Sequence, residues 1–278
     1  MNKLMLICLL LISMSSFSQP QYKNSLKDLR ESYIQTGREM RAETKKIKCE
    51  EIKLTLEESR NSYISARNEE NKLIALFHLS KMSCPQIISF FEEVIKNDTS
   101  ELIRCEAIKY LGWIDAQSSI KFLLNRADSN TEISNYEKVC IGTTLSVLED
   151  YKDAENILNK NCFTLEQKYC DRCIWAYYII GNNSSINYYR YLINNSKDDI
   201  NVNIAVQKLA ELGDIETAYP VMEKIMNEDN AIKGGIMRIL KAIGDQRSIQ
   251  LIEKVALNDK SEDNRKFAKK LLETNINR

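Results

Sequence analysis

Cys162, Cys170 and Cys173 are the densest group of chemically able side chains in this chain. The Cys-x-x-Cys spacing of the last two suits a redox pair or half of a zinc site, because thiolates are both nucleophiles and soft metal ligands. Little else gathers around them. The chain has 1 histidine, His78, inside a helical pattern where local packing accounts for it, and a multi-histidine metal site is excluded. No glycine-rich phosphate loop occurs, and most of the 8 glycines fall at turns. The carboxylate pairs Glu50-Glu51 and Glu92-Glu93 read as exposed helix positions, where solvation explains them. Thr164 with Gln167 three residues on reads as a capping box that starts a helix near Leu165. Cys170 and Cys173 then fall in its second and third turns, away from the N-terminal amides that lower a thiol pKa. Three readings of the cluster stay open: structural cysteines, with Cys173 filling a small buried position; a Cys162–Cys170 disulfide; and thiol or metal chemistry. The helical context favours the first.

The elements that position these residues recur. Leu79, Leu111, Leu145, Tyr177, Leu209 and Leu240 stand 32, 34, 32, 32 and 31 residues apart. Four residues before each lie Ala75, Ala107, Ile141, Cys173, Ala205 and Ile236; twelve after each lie Phe91, Leu123, Ile157, Tyr189, Val221 and Ile252. Apolar columns at a period near 32 are the signature of a stacked repeat array. Each repeat opens on one helical stretch and closes on a second, as in Ala107, Ile108, Leu111 and Ile114, then Ile249, Ile252 and Val255. Gly181-Asn182, Gly213-Asp214 and Gly244-Asp245 join them. Glycine there closes the first helix in a left-handed residue, and Asn or Asp caps the next. Ser83-Cys84-Pro85 and Asp115-Ala116 depart from this pattern, with Pro85 suited to a helix's first position. Pro220 predicts a late start or a kink in the second helix of repeat five.

The stretches Arg104–Gly112, Lys208–Asp214 and Arg238–Asp245, with a basic residue seven before the anchor at Lys72, Arg104, Lys138 and Lys233, resemble HEAT-like repeats of the short type found in phycobilin lyase subunits. The resemblance runs over roughly residues 66 to 273, with Arg265, Ala268 and Leu272 supplying a seventh first helix. It implies an all-α, right-handed α-solenoid of about six helical hairpins, and second helices that line a concave side. Tyr188, Arg190, Tyr191 and Tyr219 would then be contact points for a partner, as Tyr and Arg are enriched at interface hot spots. It transfers no activity, because no chromophore-handling motif is matched.

Residues 1–18 read as a secretory signal peptide, with Lys3, an apolar run from Leu4 to Ile12 and a small-residue exit at Ser16-Phe17-Ser18. Residues 19–65 form an N-terminal helical segment that is expected to cap the first repeat, and 66–278 form the solenoid. Lys+Arg and Asp+Glu number 39 each, interleaved rather than clustered, which speaks against nucleic acid as a partner. No stretch is apolar enough to span a bilayer. The expectation is a periplasmic or extracellular, non-catalytic scaffold for a protein or peptide, without cofactor. The alternative is a periplasmic thiol- or metal-dependent enzyme built on Cys162, Cys170 and Cys173.

Overall fold

The computed structural model describes residues 31–32, 34–39, 53–81, 83–128, 133–164, 170–228 and 233–274. The expected leader, the capping residues Leu165 and Gln167, and the pair Glu50-Glu51 lie outside them. The described residues are helical and contain no strand. Helix Lys53–Ser65 precedes six hairpins whose first helices are Glu69–Leu79, Glu101–Trp113, Asn135–Val147, Cys170–Ile180, Asp199–Glu211 and Gly234–Ile243. Their second helices are Pro85–Asn97, Ile120–Asp128, Tyr151–Asn161, Asn183–Asn195, Ile215–Asn227 and Gln246–Asn258. Helix Glu262–Glu273 is the last element among the described residues. The chain is an α-solenoid.

The anchors are its spine. Leu79, Leu111, Leu145, Tyr177, Leu209 and Leu240 are all fully buried, each burial worth about 1.5–3 kcal/mol against exposure. The column four before them is buried as well, because its small residues let first helices of adjacent repeats lie side by side. First helices therefore bury three sides: against second helices and against a first helix above and below. Second helices pack on first helices, in most repeats more on the next repeat's than on their own, and carry one broad apolar face.

The turns follow the expected chemistry with two additions. Gly181, Gly213 and Gly244 take left-handed φ of 65°, 90° and 69°. Asp115 and Glu149 hold the same place in repeats two and three, at φ of 54° and 68°, where a side chain is strained. Asn182 forms a full capping box with Ser185, and Asp245 accepts from the Ser248 amide at 2.7 Å. Pro85 stands at the start of its helix. Pro220 neither delays nor ends its own: the helix runs Ile215–Asn227 with Pro220 inside it, on the exposed side.

The first basic column gains its explanation here. Lys72 reaches forward to Asp98 at 2.6 Å, Arg104 to Glu137 at 2.9 Å and Lys233 to Asp259 at 2.6 Å, each tying one repeat to the next. Glu137 is fully buried between Arg104 and Arg126. Burial alone would raise the Asp98 and Asp259 carboxyls, but the lysines outweigh it and hold both below the usual carboxylate range.

Candidate partner-binding surface

The cysteine cluster resolves differently from the expected pairing. Cys162 is bonded to Cys173, Cα atoms 5.9 Å apart, and not to Cys170. The second helix of repeat three ends in a tight turn, Cys162–Thr164, that sets Cys162 against the inward column where Cys173 is fully buried. Position 170 is the first residue of the next helix, three residues before that column, which is one turn earlier along the helix. Cys173 does fill its small column, but as half of a bridge. Two of the three sulfurs that the thiol or metal alternative needs are thus joined to each other. Cys84 is also disulfide-bonded.

Cys105 and Cys140 are free and buried. They face one another between repeats two and three, and that contact, followed by burial, pushes the Cys105 thiol far up. Beside them Arg172 donates to Glu106 at 2.9 Å and to the Tyr136 hydroxyl at 2.9 Å, so a charged network threads the first helices of repeats two, three and four. Desolvation disfavours the Glu106 carboxylate, yet Lys109 and Arg172 hold its pKa below the ordinary value.

The tyrosines expected on the surface are mostly inside. Tyr188 is fully buried and Tyr219 nearly so. Tyr188 stacks on Tyr177 with centroids 4.6 Å apart and meets the edge of Phe163 at 5.5 Å. Tyr191 is half-buried, its hydroxyl donating to the Phe163 carbonyl at 3.2 Å. Of the four, Arg190 alone is exposed, and it pairs with Asp214 at 2.8 Å. The reason is the breadth of the apolar face on second helices, which takes in two consecutive positions, Tyr188 and Tyr189, where the expected pattern reserved one. Phe163, on which the tyrosines gather, was the sequence sign of this inward cluster.

What remains outside on second helices is mostly polar and laced, Leu257 at 74% exposure apart. Asn182 donates to Glu155 at 2.7 Å, Arg247 to Glu223 at 2.5 Å and Lys254 to Asn227 at 2.6 Å. First helices, by contrast, expose large apolar side chains: Phe77 at 46%, Trp113 at 43% and Trp175 at 47%. These sit two residues before or after an anchor, on a side that no core column claims, which is how the sequence could have revealed them.

The N-terminal segment divides between two places. Helix Lys53–Ser65 does cap repeat one, with Tyr63 edge-on to Phe90 at 5.3 Å and its hydroxyl donating to Asp98 at 2.5 Å. Residues 34–39 lie elsewhere, on the first helices of repeats three and four. There Arg38 donates to Glu149 at 2.8 Å, and Ile34 and Gly37 line a shallow groove with Val147, Trp175 and Ile179. His78 is exposed and shares an open depression with Ser59, Ser62 and Ser65. The Ser62 and Ser65 hydroxyls donate back to their own helix, to the Glu58 and Asn61 carbonyls, an arrangement that packs a helix and activates no nucleophile. Among the described residues no group of three or more His, Cys, Asp or Glu is placed to hold a metal, and no helix is long and apolar enough to cross a membrane.

Residues 60–134 match the family model of HEAT repeats, which agrees with the hairpins described above. Among solved structures, the complex of CpcE and CpcF of phycocyanin lyase from Nostoc sp. PCC7120 is similar at 17% identity and a TM-score of 0.47, over 78% of this chain and 86% of that one. Human deoxyhypusine hydroxylase in complex with glycerol is similar at 13% identity and a TM-score of 0.33, over 88% of this chain and 96% of that one. No curated protein matches the sequence.

Proposed function

We propose that this protein is an exported, non-catalytic scaffold that holds a protein partner on the outward side of its first helices. The observation that carries the reading is the row of half-exposed Phe77, Trp113 and Trp175. Aromatic side chains of this size offer much contact area for few rotatable bonds, and their exposure on a soluble surface marks interaction sites. A repeat array presents such residues at regular intervals along an extended face. Export is supported by the Cys162–Cys173 bond and the bonded Cys84, since disulfides persist in oxidising compartments.

The test uses the mature full-length chain as bait in envelope extract, beside Trp113→Ala and Trp175→Ala. The wild type should retain a defined partner that at least one variant loses while keeping its helical spectrum. Retention unchanged in both variants, or no retained protein, removes the reading. N-terminal sequencing should find Gln19 first; an intact Met1 in a cytosolic fraction removes the export part alone.

A further inference from the structure

The groove between the first helices of repeats three and four is occupied by residues 34–39 of the chain itself. Of residues 31–39, positions 31, 32, 35, 38 and 39 are exposed. Among the described residues, Ile34 and Gly37 line it with Val147, Trp175 and Ile179, and Arg38 pairs with Glu149 at the rim. In that pair Arg38 and Glu149 keep 44% and 49% of their side-chain surface in solvent, so water screens it and it adds little to stability. Trp175 stays 47% exposed with the segment in place. A contact that covers its largest apolar residue only partly, and whose rim pair is screened, is open to exchange.

Glu149 gives an independent sign. It occupies the left-handed turn position, at φ 68°, that three other repeats fill with Gly181, Gly213 and Gly244. A glutamate there is held in a sparsely populated conformation, as Asp115 is in repeat two at φ 54°, so the use of its carboxylate is what sets Glu149 apart. Its carboxylate is the group that receives Arg38. Tyr151, at the start of the adjoining second helix, stands beside the same guanidinium. The groove therefore offers an apolar floor and an acidic rim, which is a combination that an amphipathic helix reads in groove recognition.

We propose that this groove is a docking site for a helical segment of a partner protein bearing an apolar residue, a small residue three positions later and an arginine next to it, and that residues 34–39 occupy it in cis as a self-ligand which the partner helix displaces. The proposal rests on the scaffold reading above and names its site and the chemistry of its partner. Trp175 is the natural reporter, because Trp113→Phe leaves it the sole tryptophan of the 2 in the chain.

In that background, the mature chain carrying Arg38→Glu should show red-shifted emission and stronger acrylamide quenching, and Arg38→Glu with Glu149→Arg should reverse both. A synthetic peptide of residues 22–40, added to the Arg38→Glu protein, should restore the emission saturably. Glu149→Arg should weaken that peptide by at least about tenfold, while a peptide carrying Arg38→Glu regains binding to it. Unchanged Trp175 emission in Arg38→Glu overturns the cis contact. A peptide that never restores the signal overturns the docking site even where the cis contact holds. Circular dichroism on each variant separates lost docking from lost fold. The two readings also fail separately: partner capture unaffected by Glu149→Arg leaves the scaffold and removes this groove, whereas peptide docking without any captured partner leaves the groove and removes the scaffold.

Discussion

The first helices and the second helices of this solenoid solve opposite problems. A first helix is packed on three sides, and its interior holds charge: Glu137 lies fully buried between Arg104 and Arg126, and Arg172 bridges to Glu106 across two repeats. Its one free side carries Phe77, Trp113 and Trp175. A second helix does the reverse, with tyrosines inside and asparagine, lysine, arginine and glutamate outside. The contrast teaches that residue type alone misplaces function in a repeat protein. Tyrosine and arginine look like hot spots wherever they occur, but a one-sided helix draws its aromatics inward, and a helix buried on three sides has only the fourth to offer.

The largest expected effect tests that assignment directly. Tyr188→Ala, inside a second helix and stacked on Tyr177, should lower unfolding stability by about 3–5 kcal/mol, as for other large aromatic truncations in a core. Trp175→Ala, outside a first helix, should cost about 1 kcal/mol or less. Denaturant titrations of the two variants measure both. Equal losses would erase the distinction between the faces.

Charge inside the first-helix layer comes next. Lys233 and Asp259 keep only 3% and 4% of their side-chain surface exposed, so Lys233→Met leaves a buried carboxylate without its counter-charge and should cost about 3 kcal/mol. The same pair gives the stack a pH dependence. The Asp98 and Asp259 pKa values are lowered in the folded chain. Their contribution is therefore present above the unfolded carboxylate pKa and lost as pH falls through the folded one. Stability should drop below pH about 4, and Asp98→Asn should flatten that drop. An acid limb unchanged by Asp98→Asn would show that these ties carry none of it.

The bridge between layers is of similar size. The Cys162–Cys173 bond closes a separation of 11 residues, and Cys173→Ala should cost about 2–5 kcal/mol, although alanine is what Ala75, Ala107 and Ala205 place in that column. Reductant should destabilise the wild type more than Cys173→Ala, in which only the bond of Cys84 remains to be reduced. A Cys173→Ala variant as stable as wild type would return that residue to a filler. Cys105 and Cys140 should resist alkylation until the chain unfolds, since both are buried.

Much of this was legible beforehand, and the reasons are local. The anchor column is readable because Leu111 or Leu209 must be buried whatever the neighbours are, and Gly213 must turn because only glycine adopts φ of 90° cheaply. Lys72, Arg104 and Lys233 were visible as a column, but their acids were not. Asp98 and Asp259 belong to the following repeat's entry, where Asp98-Thr99-Ser100 with Arg104 and Asp259-Lys260-Ser261 with Arg265 form one motif 161 residues apart. In both, the aspartate accepts from the serine amide at 2.8 Å, and the arginine donates back to the carbonyls at the loop's start. The partner of Cys162 was not readable, because Cys-x-x-Cys spacing says nothing about which of two helical positions faces a turn. Nor was the seat of residues 34–39, where Arg38 meets Glu149 from more than a hundred positions away.

The smallest expected effect lies where a first helix hands over to a second. Asp115 and Glu149 share the left-handed position, at φ of 54° and 68°. Asp115 accepts from Gln117 at 2.9 Å. Asp115→Gly should therefore relieve the turn and stabilise the chain by about 0.5–1 kcal/mol. Glu149→Gly relieves the same strain but gives up Arg38, an exposed pair worth about 0–1 kcal/mol. The difference between the two substitutions then isolates what that pair contributes. Introducing Arg38→Ala should abolish the difference, because Glu149 then has no guanidinium to lose. If Glu149→Gly stabilises as much as Asp115→Gly while Arg38 is present, the N-terminal segment adds nothing to the stack. Its seat on the first helices would then be purely a matter of occupancy, open to whatever helix competes for the groove.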